Sequence, residues 1–470
     1  MNLAYLLFLP GLSLLALSLL AGCAQNEPGA ARGDDAAAGT ASELRYADVV
    51  AWAVNAGGEA YVGVDGVAYR ADEGITGGTV AQMDTVLGSQ DSPLYRTYRS
   101  GDVAIQTPLP DGRYDLTFHF AEPFDEPVGS RVFTVFAEGR PVIPDLDVRG
   151  ARDEKHVSAL TRTVPNVEVT GGRLDVTFEA SAGEPVLSAL VVRRKVEDAR
   201  TWTLVWEDTF DGEGAPDSSK WSHNVWPARK VNDEDQAYTD RLKNVRVEDG
   251  RLVIEAHKET YGNAEYTSGR VHTAGKGDIL YGRVEVSARV PAGQGTWAAA
   301  WMLPSDPYRY ATTCAEPDEW QGSATCDAWP NSGEIDILEH VGYDMNNVHG
   351  TVHNKAYYWI NWEQRKGSIE TGDAEADFHV YAVEWTPERI DLFFDGTRYF
   401  TYVNQGTGWR AWPYDHPYNL ILNLAIGGAW GRAGGPIDDR IFPVRMEVDY
   451  VRVYASPDIA EETLADASGG

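Results

Sequence analysis

The chain has 470 residues, so two folded units are expected rather than one. Its 43% hydrophobic and 24% charged residues are typical of a globular protein. A formal net charge of −31 argues against nucleic acid or an anionic lipid surface as the partner, because both require a basic face, and it favours a neutral partner.

The chain begins with an apolar segment that has no charged side chain over residues 1–22. Such a segment, ending in small residues, is typical of an export signal, and a single membrane-spanning helix of borderline length is the alternative. The ending Leu20-Ala21-Gly22-Cys23 resembles a bacterial lipobox. This resemblance implies that Cys23 is lipidated and anchors the protein in the cell envelope, at the outer membrane or the cell surface.

The rest of the chain divides into four parts. Residues 23–42 are small and polar, which predicts a flexible linker. Over 43–195, short alternating runs such as YDLTFHF and LDVTFEA are separated by turn signals such as PDGR, which predicts a β-sandwich. The β pattern continues over 200–456, in runs such as RLVIEAHK and MEVDYVRVY, and 457–470 is an acidic tail expected to be disordered.

Aromatic residues and cysteines are unevenly placed. Of the 15 tryptophans only Trp52 precedes Thr201, so the rings either fill a large core or line a cleft that stacks on sugars. If Cys23 is lipidated, Cys314 and Cys326 remain as a pair in an exported protein. An oxidising compartment favours a disulfide between them over two free thiols.

The segment NSGEIDILEH, residues 331–340, places three carboxylates within six residues of an otherwise aliphatic run. In a regular strand Glu334 and Asp336 share one face while Glu339 lies on the other. One β-bulge within IDIL would bring all three to the same face. The two glutamates could then lean to about 5 Å, the separation found in retaining glycosidases. The spacing alone favours a solvated amphipathic segment, so the flanking sequence decides.

The flanking sequence resembles a known family from Trp202 to Tyr454. The runs YGRVEVSARVP, GTWAAAWMLP, WPNSGEIDILEHVG and FHVYAVEWTPERIDLFFDG, in this order, are similar to glycoside hydrolase family sixteen in its laminarinase-like branch. The resemblance implies an all-β fold, a β-jelly-roll sandwich with the catalytic strand on its concave face. It also implies a retaining endo-glycosidase that hydrolyses β-1,3-glucan without a cofactor.

The same resemblance implies a role for each carboxylate. Glu334 matches the nucleophile, Glu339 the general acid/base, and Asp336 the carboxylate that orients the nucleophile. Glu339 must hold a proton near neutral pH, and negative charge on its two neighbours would disfavour its ionised form. After Glu334 has formed an ester, Glu339 can act as the base that activates water.

Further residues follow from the resemblance. Those expected to bind substrate are Trp297, Trp301, Trp329, Trp430, His353 and Arg270. As alternatives, the tryptophans could fill the core, the histidine could be structural and the arginine could form an ion pair. A structural calcium site is expected at Glu207, the Gly250 backbone and Asp449. The insertion over 305–328, which Cys314 and Cys326 would close, lies at the cleft edge and bears on specificity.

The N-terminal part, from Tyr46 to Arg194, resembles malectin-like domains, which are carbohydrate-binding β-sandwiches, through runs such as WAVNAGGEAYVGVDGVAYRAD and PLPDGRYDLTFHFAEP. Tyr95 matches a sugar-contacting tyrosine, and Phe124 matches part of an aromatic pair. Two further positions of the family pattern, near Gln82 and around 183–184, do not match. Sugar binding and a structural spacer therefore both stay open, and the domain is expected to contribute targeting rather than chemistry.

Three functional hypotheses follow from these observations. The leading one is a lipid-anchored endo-β-1,3-glucanase. The second is a hydrolase of another neutral polysaccharide, such as agarose or mixed-linkage glucan. The third is a non-catalytic glycan-binding lipoprotein, which the intact carboxylate set argues against, because a pure binder gains nothing from a strained acidic cluster.

Overall fold

The computed structural model describes residues 46–152, 156–197, 201–314, 327–372 and 374–455. Several predicted features lie outside these ranges: the signal over 1–22, the linker over 23–42, the tail over 457–470, Cys23 and Cys326. No helix in the described part of the chain combines the length and apolar composition needed to span a membrane.

The N-terminal domain consists mainly of strands. They are β1 Tyr46–Asn55, β2 Tyr61–Val62, β3 Ala68–Tyr69, β4 Ile75–Gln82, β5 Thr97–Pro108, β6 Gly112–Ala121, β7 Val132–Ala137, β8 Arg140–Leu146, β9 Ala159–Val169, β10 Arg173–Ala182, β11 Val186–Leu187 and β12 Ala189–Glu197. Short helical turns occur at α1 Ser92–Arg96 and at Gly150–Arg152. β1, β12, β6 and β9 form one layer, and β4, β11, β5, β10, β7 and β8 form the other. Alternate side chains of β7 are buried, as a half-buried strand requires.

The C-terminal domain, which is expected to be the catalytic domain, is also built from strands. They are β13 Thr203–Asp208, β14 Ser222–His223, β15 Gln236–Tyr238, β16 Val245–Glu248, β17 Arg251–Tyr261, β18 Ala264–Ser268, β19 Arg270–His272, β20 Gly282–Arg289, β21 Thr296–Pro304, β22 Glu334–Val341, β23 Asn347–His353, β24 Arg365–Glu370, β25 His379–Trp385, β26 Arg389–Phe394, β27 Thr397–Val403, β28 Tyr418–Ile426 and β29 Val444–Ala455. Short helical turns lie at α2 Ala328–Asn331, Trp359–Asn361, α3 Gly428–Gly431 and Asp439–Ile441.

Two sheets form the catalytic sandwich. β24-β23-β22-β21-β28-β19-β14 lie side by side in one sheet, and β15-β18-β17-β29-β20-β25-β26-β27 form the other. The side chains between them make one hydrophobic core, to which β22 contributes Ile335 and β20 contributes Val286, both fully buried. A second core fills the N-terminal sandwich. The predicted all-β fold with two successive sandwiches is confirmed.

The two sandwiches share one sheet, which the sequence does not predict. β9 pairs in parallel with β24, so that Arg162 faces Ser368 and Thr163 faces Ile369. The result is an 11-stranded sheet that runs from β1 through β9 and β24 to β14. The sheet that carries β22 therefore continues directly into one layer of the N-terminal domain.

Side chains reinforce this junction. Arg162 is buried and donates hydrogen bonds to Asn347 Oδ1 at 2.5 Å and to Ser368 Oγ at 2.8 Å. The side-chain amide of Gln90 donates to the carbonyl of Val403 and accepts from its N–H, at 2.8 and 3.0 Å. The N-terminal domain is thus joined to the catalytic domain by backbone pairing and by buried polar contacts.

Candidate active site

β22 carries the three carboxylates, and it bulges within IDIL. Opposite this strand, Ala300 pairs with Leu338 while the next residue, Trp301, pairs with Asp336. Ile337 is therefore an extra residue in β22, and the pairing with β23 shifts over the same interval. The bulge predicted from the alternation of side chains is confirmed.

The bulge sorts the side chains of the segment between core and cleft. The fully buried aliphatic side chains are Ile335, Ile337 and Leu338. On the other face, Glu334 and Glu339 are partly exposed, while Asp336 between them is 2% exposed. Both glutamates thus reach the cleft, and Asp336 forms its floor.

Tyr399 of β27 holds the bulge from below. Its hydroxyl donates to the carbonyl oxygen of Ile337 at 3.1 Å. Gly350 of β23 leaves room for this contact, because a Cβ at that position would lie 2.4 Å from the Tyr399 hydroxyl. Neither residue could be identified from the sequence, since the contact joins Tyr399 to a backbone carbonyl in another strand.

Two tryptophans each hold one of the glutamates. Trp329 Nε1 donates to Glu334 Oε2 at 2.8 Å, and Trp297 Nε1 donates to Glu339 Oε1 at 3.2 Å. Both indoles are partly exposed, so their rings remain available to a ligand in the cleft. The structure places these two predicted cleft tryptophans in direct contact with Glu334 and Glu339.

Asp336 and Glu334 compete for a proton. Burial raises the pKa of Asp336 well above its ordinary value, and the charges of Glu334 and Glu339 raise it further. Burial also raises the pKa of Glu334, to about 7, although hydrogen bonds from Trp329 and Asp336 oppose that rise. Asp336, the more deeply buried of the two, is therefore the carboxyl that burial favours in its protonated form. Burial thus opposes the expected negative charge on Asp336, because it disfavours the ionised carboxyl.

His353 lies beside this pair, as the resemblance implies. Its Nε2 is 3.6 Å from Asp336 Oδ2 and 3.8 Å from Glu334 Oε1, and its ring is 5.8 Å from that of Trp329. Within the described ranges, Glu334, Asp336 and His353 form the one acidic and histidine group whose ligand atoms are close enough to hold a metal. In glycoside hydrolysis by two carboxylates, the expected role of the Glu334 oxygen atoms is to react with the sugar and not to bind a metal.

Arg270 is buried between two indole rings. Its guanidinium carbon lies 4.6 Å from the ring centroid of Trp226 and 4.8 Å from that of Trp301. Its Nε donates to Asn224 Oδ1 at 2.9 Å. Burial raises the pKa of Glu334, and the positive charge of Arg270 opposes part of that rise, so Arg270 favours the ionised form of Glu334.

The remaining two tryptophans differ in exposure. Trp301 is buried, and its Nε1 donates to Asn423 Oδ1 at 2.7 Å. It pairs with Asp336 and clusters with Ile421 and Trp329 outside the core between the two sheets, so it lies on the carboxylate face of β21. Trp430 is partly exposed and packs edge-on against Trp297, with ring centroids 5.6 Å apart. Trp430 therefore lies at the Glu339 end of the cleft.

His349 is a cleft residue that the sequence analysis missed. It pairs with Glu339 across β22 and β23, and its ring lies 5.1 Å from that of Trp430. Burial lowers the pKa of His349 to about 4, although Asp344 opposes this, so its ring is neutral at pH 7. The HGTVH run could have revealed it, because alternation places His349 on the same face as His353.

The residues predicted to bind sugar in the N-terminal domain lie apart. Tyr95 is 4% exposed, and its hydroxyl hydrogen-bonds His119 and Thr161. It lines a cavity of about 100 Å³ at the junction with the catalytic domain. Phe124 is exposed and lines a different, more open pocket of about 520 Å³. The structure does not bring Tyr95 and Phe124 into one site, and sugar binding by this domain stays a prediction.

The other predicted residues lie away from the cleft centre. Glu207 is 3.4 Å from Arg452 in an ion pair, Asp449 is exposed, and Gly250 lies in the turn before β17, so the calcium site stays a prediction. Cys314 is disulfide-bonded, but its expected partner Cys326 lies outside the described residues.

The base of the 305–328 insertion is held together by hydrogen bonds. Asp327 accepts from the backbone N–H of Thr312 at 2.7 Å and from that of Thr313 at 2.9 Å. Tyr310 stacks on Trp409 with ring centroids 5.3 Å apart, and its N–H donates to Ser332 Oγ at 3.2 Å. The described ends of the insertion are thus held together next to the residues that precede β22.

Comparison with known protein families matches residues 232–452 to the glycosyl hydrolases family 16 and residues 50–191 to the malectin domain. A β-glucanase from Rhodothermus marinus is 48% identical over 264 residues, which are 55% of this chain and 87% of the relative. A glucan endo-1,3-β-glucosidase from Cryptopygus antarcticus is 34% identical over 275 residues, 54% of this chain and 92% of the relative. The solved laminarinase of Rhodothermus marinus, 46% identical, has a TM-score of 0.49 and covers 55% of this chain and 99% of its own.

Proposed function

The chain belongs to the family 16 glycosyl hydrolases, and we propose that it is a retaining endo-β-1,3-glucanase that cleaves laminarin-type glucan. The observation that carries this proposal is the bulge in β22, which brings Glu334 and Glu339 to one face with Asp336 between them. Relatives that share this domain include proteins that act on β-1,3-glucan.

In the first step Glu334 attacks the anomeric carbon as an ionised carboxylate. Asp336 donates its proton in a hydrogen bond to Glu334, and the N–H of Trp329 donates a second one. Glu339 gives its proton to the glycosidic oxygen, so the leaving sugar departs as an alcohol. The products of this step are a covalent glycosyl ester on Glu334 and the released chain end.

In the second step Glu339 works in the opposite direction. It is now ionised, and it takes a proton from a water molecule that attacks the ester at the anomeric carbon. Trp297 keeps the Glu339 carboxylate in place during both steps through its N–H. Two displacements at one carbon restore the β configuration, so the proposal requires a retained anomer and no cofactor.

The substrate assignment is tested by release of reducing ends from laminarin, lichenan, agarose and carrageenan. We expect laminarin to be cleaved fastest, with the new reducing end in the β configuration when followed by proton NMR. Faster cleavage of agarose or lichenan would favour another neutral polysaccharide as the substrate. Binding of laminarin without release of sugar would indicate a glycan-binding lipoprotein.

Lipid anchoring through Cys23 is part of the proposal and is supported by the Leu20-Ala21-Gly22-Cys23 sequence. In cells, the protein is expected to be in the envelope fraction and to enter the detergent phase of a Triton X-114 extract. The variant Cys23→Ser is expected to stay in the aqueous phase. Equal partitioning of both proteins would argue against the anchor.

A structural calcium ion is also proposed, at Glu207, Asp449 and the carbonyl of Gly250. Oxygen ligands of this kind suit Ca²⁺. Addition of EGTA is expected to lower the thermal midpoint of the protein, and Asp449→Asn is expected to abolish that response. A thermal midpoint that does not change with EGTA would argue against the ion.

A further inference from the structure

The loop between β23 and β24 exposes an unusual amount of apolar surface. Trp359, Ile360 and Trp362 are 52%, 53% and 39% exposed, and they lie within four consecutive residues. Clustered exposure of large apolar side chains marks a binding surface more often than single exposed residues do. We call the surface of these three residues the Trp359–Trp362 platform.

The platform is held in a fixed shape. Asn361 accepts a hydrogen bond from the N–H of Tyr358 at 3.1 Å and donates one to the carbonyl of Ala356 at 2.9 Å. These bonds close the helical turn Trp359–Asn361. Its exposed rings therefore belong to an ordered turn, so little conformational entropy is lost when a ligand binds there.

The N-terminal domain supports the far side of the platform. The carboxylate of Glu363 accepts from the N–H of Gly88 at 2.9 Å. The buried side chain of Arg152 donates to the carbonyl of Gln364 at 2.9 Å. The residues that follow the platform are thus fixed by contacts from the other domain.

The loop that carries the platform starts at the end of the cleft where Glu334 lies. β23 ends at His353, which pairs with Glu334, so the loop that follows β23 leaves the sheet at that end of β22. Within this loop, Tyr358 makes an edge contact with Trp329, with ring centroids 6.0 Å apart. Trp329 in turn donates to Glu334. An aromatic path therefore runs from the nucleophile to Tyr358, next to Trp359.

We propose that the Trp359–Trp362 platform binds sugar units of a long β-1,3-glucan chain beyond those at the catalytic centre. The flat apolar face of a pyranose stacks on an indole ring, and this neutral contact suits a strongly acidic protein. The inference rests on the proposed function, and it adds a binding site that favours polysaccharide over short oligosaccharides. The platform acts on binding and not on the chemical step.

The test compares long and short substrates in the full-length protein. Trp359→Ala and Trp362→Ala are each expected to raise KM for laminarin polysaccharide about three- to tenfold, the range expected for loss of one aromatic contact, with kcat unchanged. On the shortest linear β-1,3-glucan oligosaccharide that the wild type cleaves, kcat/KM is expected to stay within about twofold of the wild-type value. Trp359→Phe should recover part of the lost affinity.

Tyr261→Ala is the matched control, because Tyr261 is an aromatic residue 41% exposed on β17, in the sheet opposite the cleft. It is expected to change neither substrate's kinetics. An equal loss on long and short substrates, or unchanged KM for laminarin in both tryptophan variants, overturns the platform while the proposed function stands. If the wild type cleaves no β-1,3-glucan, the proposed function and the platform fail together.

Discussion

At the scale of single residues, burial changes the pKa values of Glu334 and Asp336 in β22 more than the charges of their neighbours do. Asp336 is the most buried of the three carboxyls, and its raised pKa makes it a proton donor to Glu334. Glu334, the proposed nucleophile, therefore accepts a hydrogen bond from Trp329 and lies beside a carboxyl that burial favours in its neutral form. This arrangement stabilises the ionised form that attacks the sugar, although it keeps carboxyl groups away from water.

The raised pKa of Glu334 predicts a pH dependence of stability. Its pKa is about 7 in the folded protein against an ordinary 4.5, so the folded state keeps a proton that the unfolded chain has released. This contribution to the free energy of unfolding is present at pH 4 and is lost as the pH rises towards 7. Glu334→Gln removes this titrating carboxyl. The thermal midpoint of the variant is expected to exceed that of the wild type by a larger amount at pH 7.5 than at pH 5.

The control for this measurement is Glu388→Gln, which changes an exposed glutamate in the turn before β26. Its thermal midpoint is expected to differ from that of the wild type by the same amount at both pH values. A Glu334→Gln gain that is equal at pH 5 and pH 7.5 would contradict the assignment of a raised pKa.

The roles of the two glutamates predict different products with azide. Glu339→Ala lacks the proton donor, so it should lose about 10² to 10⁴ in rate on glucan, but an activated aryl glucoside should still form the ester. Azide should then restore turnover and give a β-glycosyl azide, because two displacements take place. Glu334→Ala should give the α-azide by one displacement. The same anomer from both variants would contradict the assignment.

At the scale of one element, the bulge in β22 places its carboxylates, because this strand has one residue that pairs with no residue of the neighbouring strand β21. The extra residue turns Glu339 towards the cleft and sends Leu338 into the core. Tyr399 stabilises this irregular step through the carbonyl of Ile337. The strand therefore determines the spacing of the catalytic groups, and the loops around it are free to vary.

The bulge predicts opposite effects for deletion and insertion. Removing Ile337 leaves a regular strand in which alternation still places all three carboxylates on one face, so activity should survive with a loss of about 100-fold from misplacement. Inserting one alanine after Leu338, with the bulge at Ile337 retained, should turn Glu339 towards the core and abolish hydrolysis. The test is laminarin cleavage by the two variants, after circular dichroism has shown that both are folded. Equal inactivity of both would argue that the carboxylates are not set by alternation.

The sequence predicts this element well and its surroundings less well. Alternation of aliphatic and acidic residues is local information, so the bulge and the cleft face of Glu334 and Glu339 could be predicted. The proton on Asp336 depends on burial by other strands. The contact between Tyr399 and Ile337 depends on pairing partners far along the chain. Neither the burial of Asp336 nor the contact of Tyr399 leaves a local sequence pattern. The roles of the three carboxylates came from the resemblance to a family, because their spacing alone does not assign them.

At the scale of the whole molecule, the two sandwiches are joined through β9 and β24. The sequence predicts a targeting domain followed by a catalytic domain, but it does not predict the shared sheet. Parallel pairing of distant strands has no sequence signature. Arg162 lies at the centre of the junction, with its Nε 3.9 Å from the partly buried carboxylate of Glu370. The N-terminal domain therefore contributes charge compensation to the catalytic domain.

Removing Arg162 should destabilise the full-length protein in a pH-dependent way. Glu370 has a pKa raised by burial to about 7, and Arg162 limits that rise. In Arg162→Met the unpaired carboxylate should cost about 3 to 5 kcal/mol of unfolding free energy at pH 8 and less at pH 5, where Glu370 can be protonated. Urea unfolding at both pH values measures this. The double variant with Glu370→Gln should recover most of the loss at pH 8, and no recovery would contradict the pairing.

The shared sheet also bears on aggregation. In the catalytic sandwich alone, β24 would be the last strand of its sheet, with backbone N–H and C=O groups along Arg365–Glu370 open to pairing with another chain. β9 covers part of that edge. A catalytic module excised for use elsewhere should therefore self-associate with rising concentration, and a proline or an added lysine on the open side of β24 should keep it monomeric.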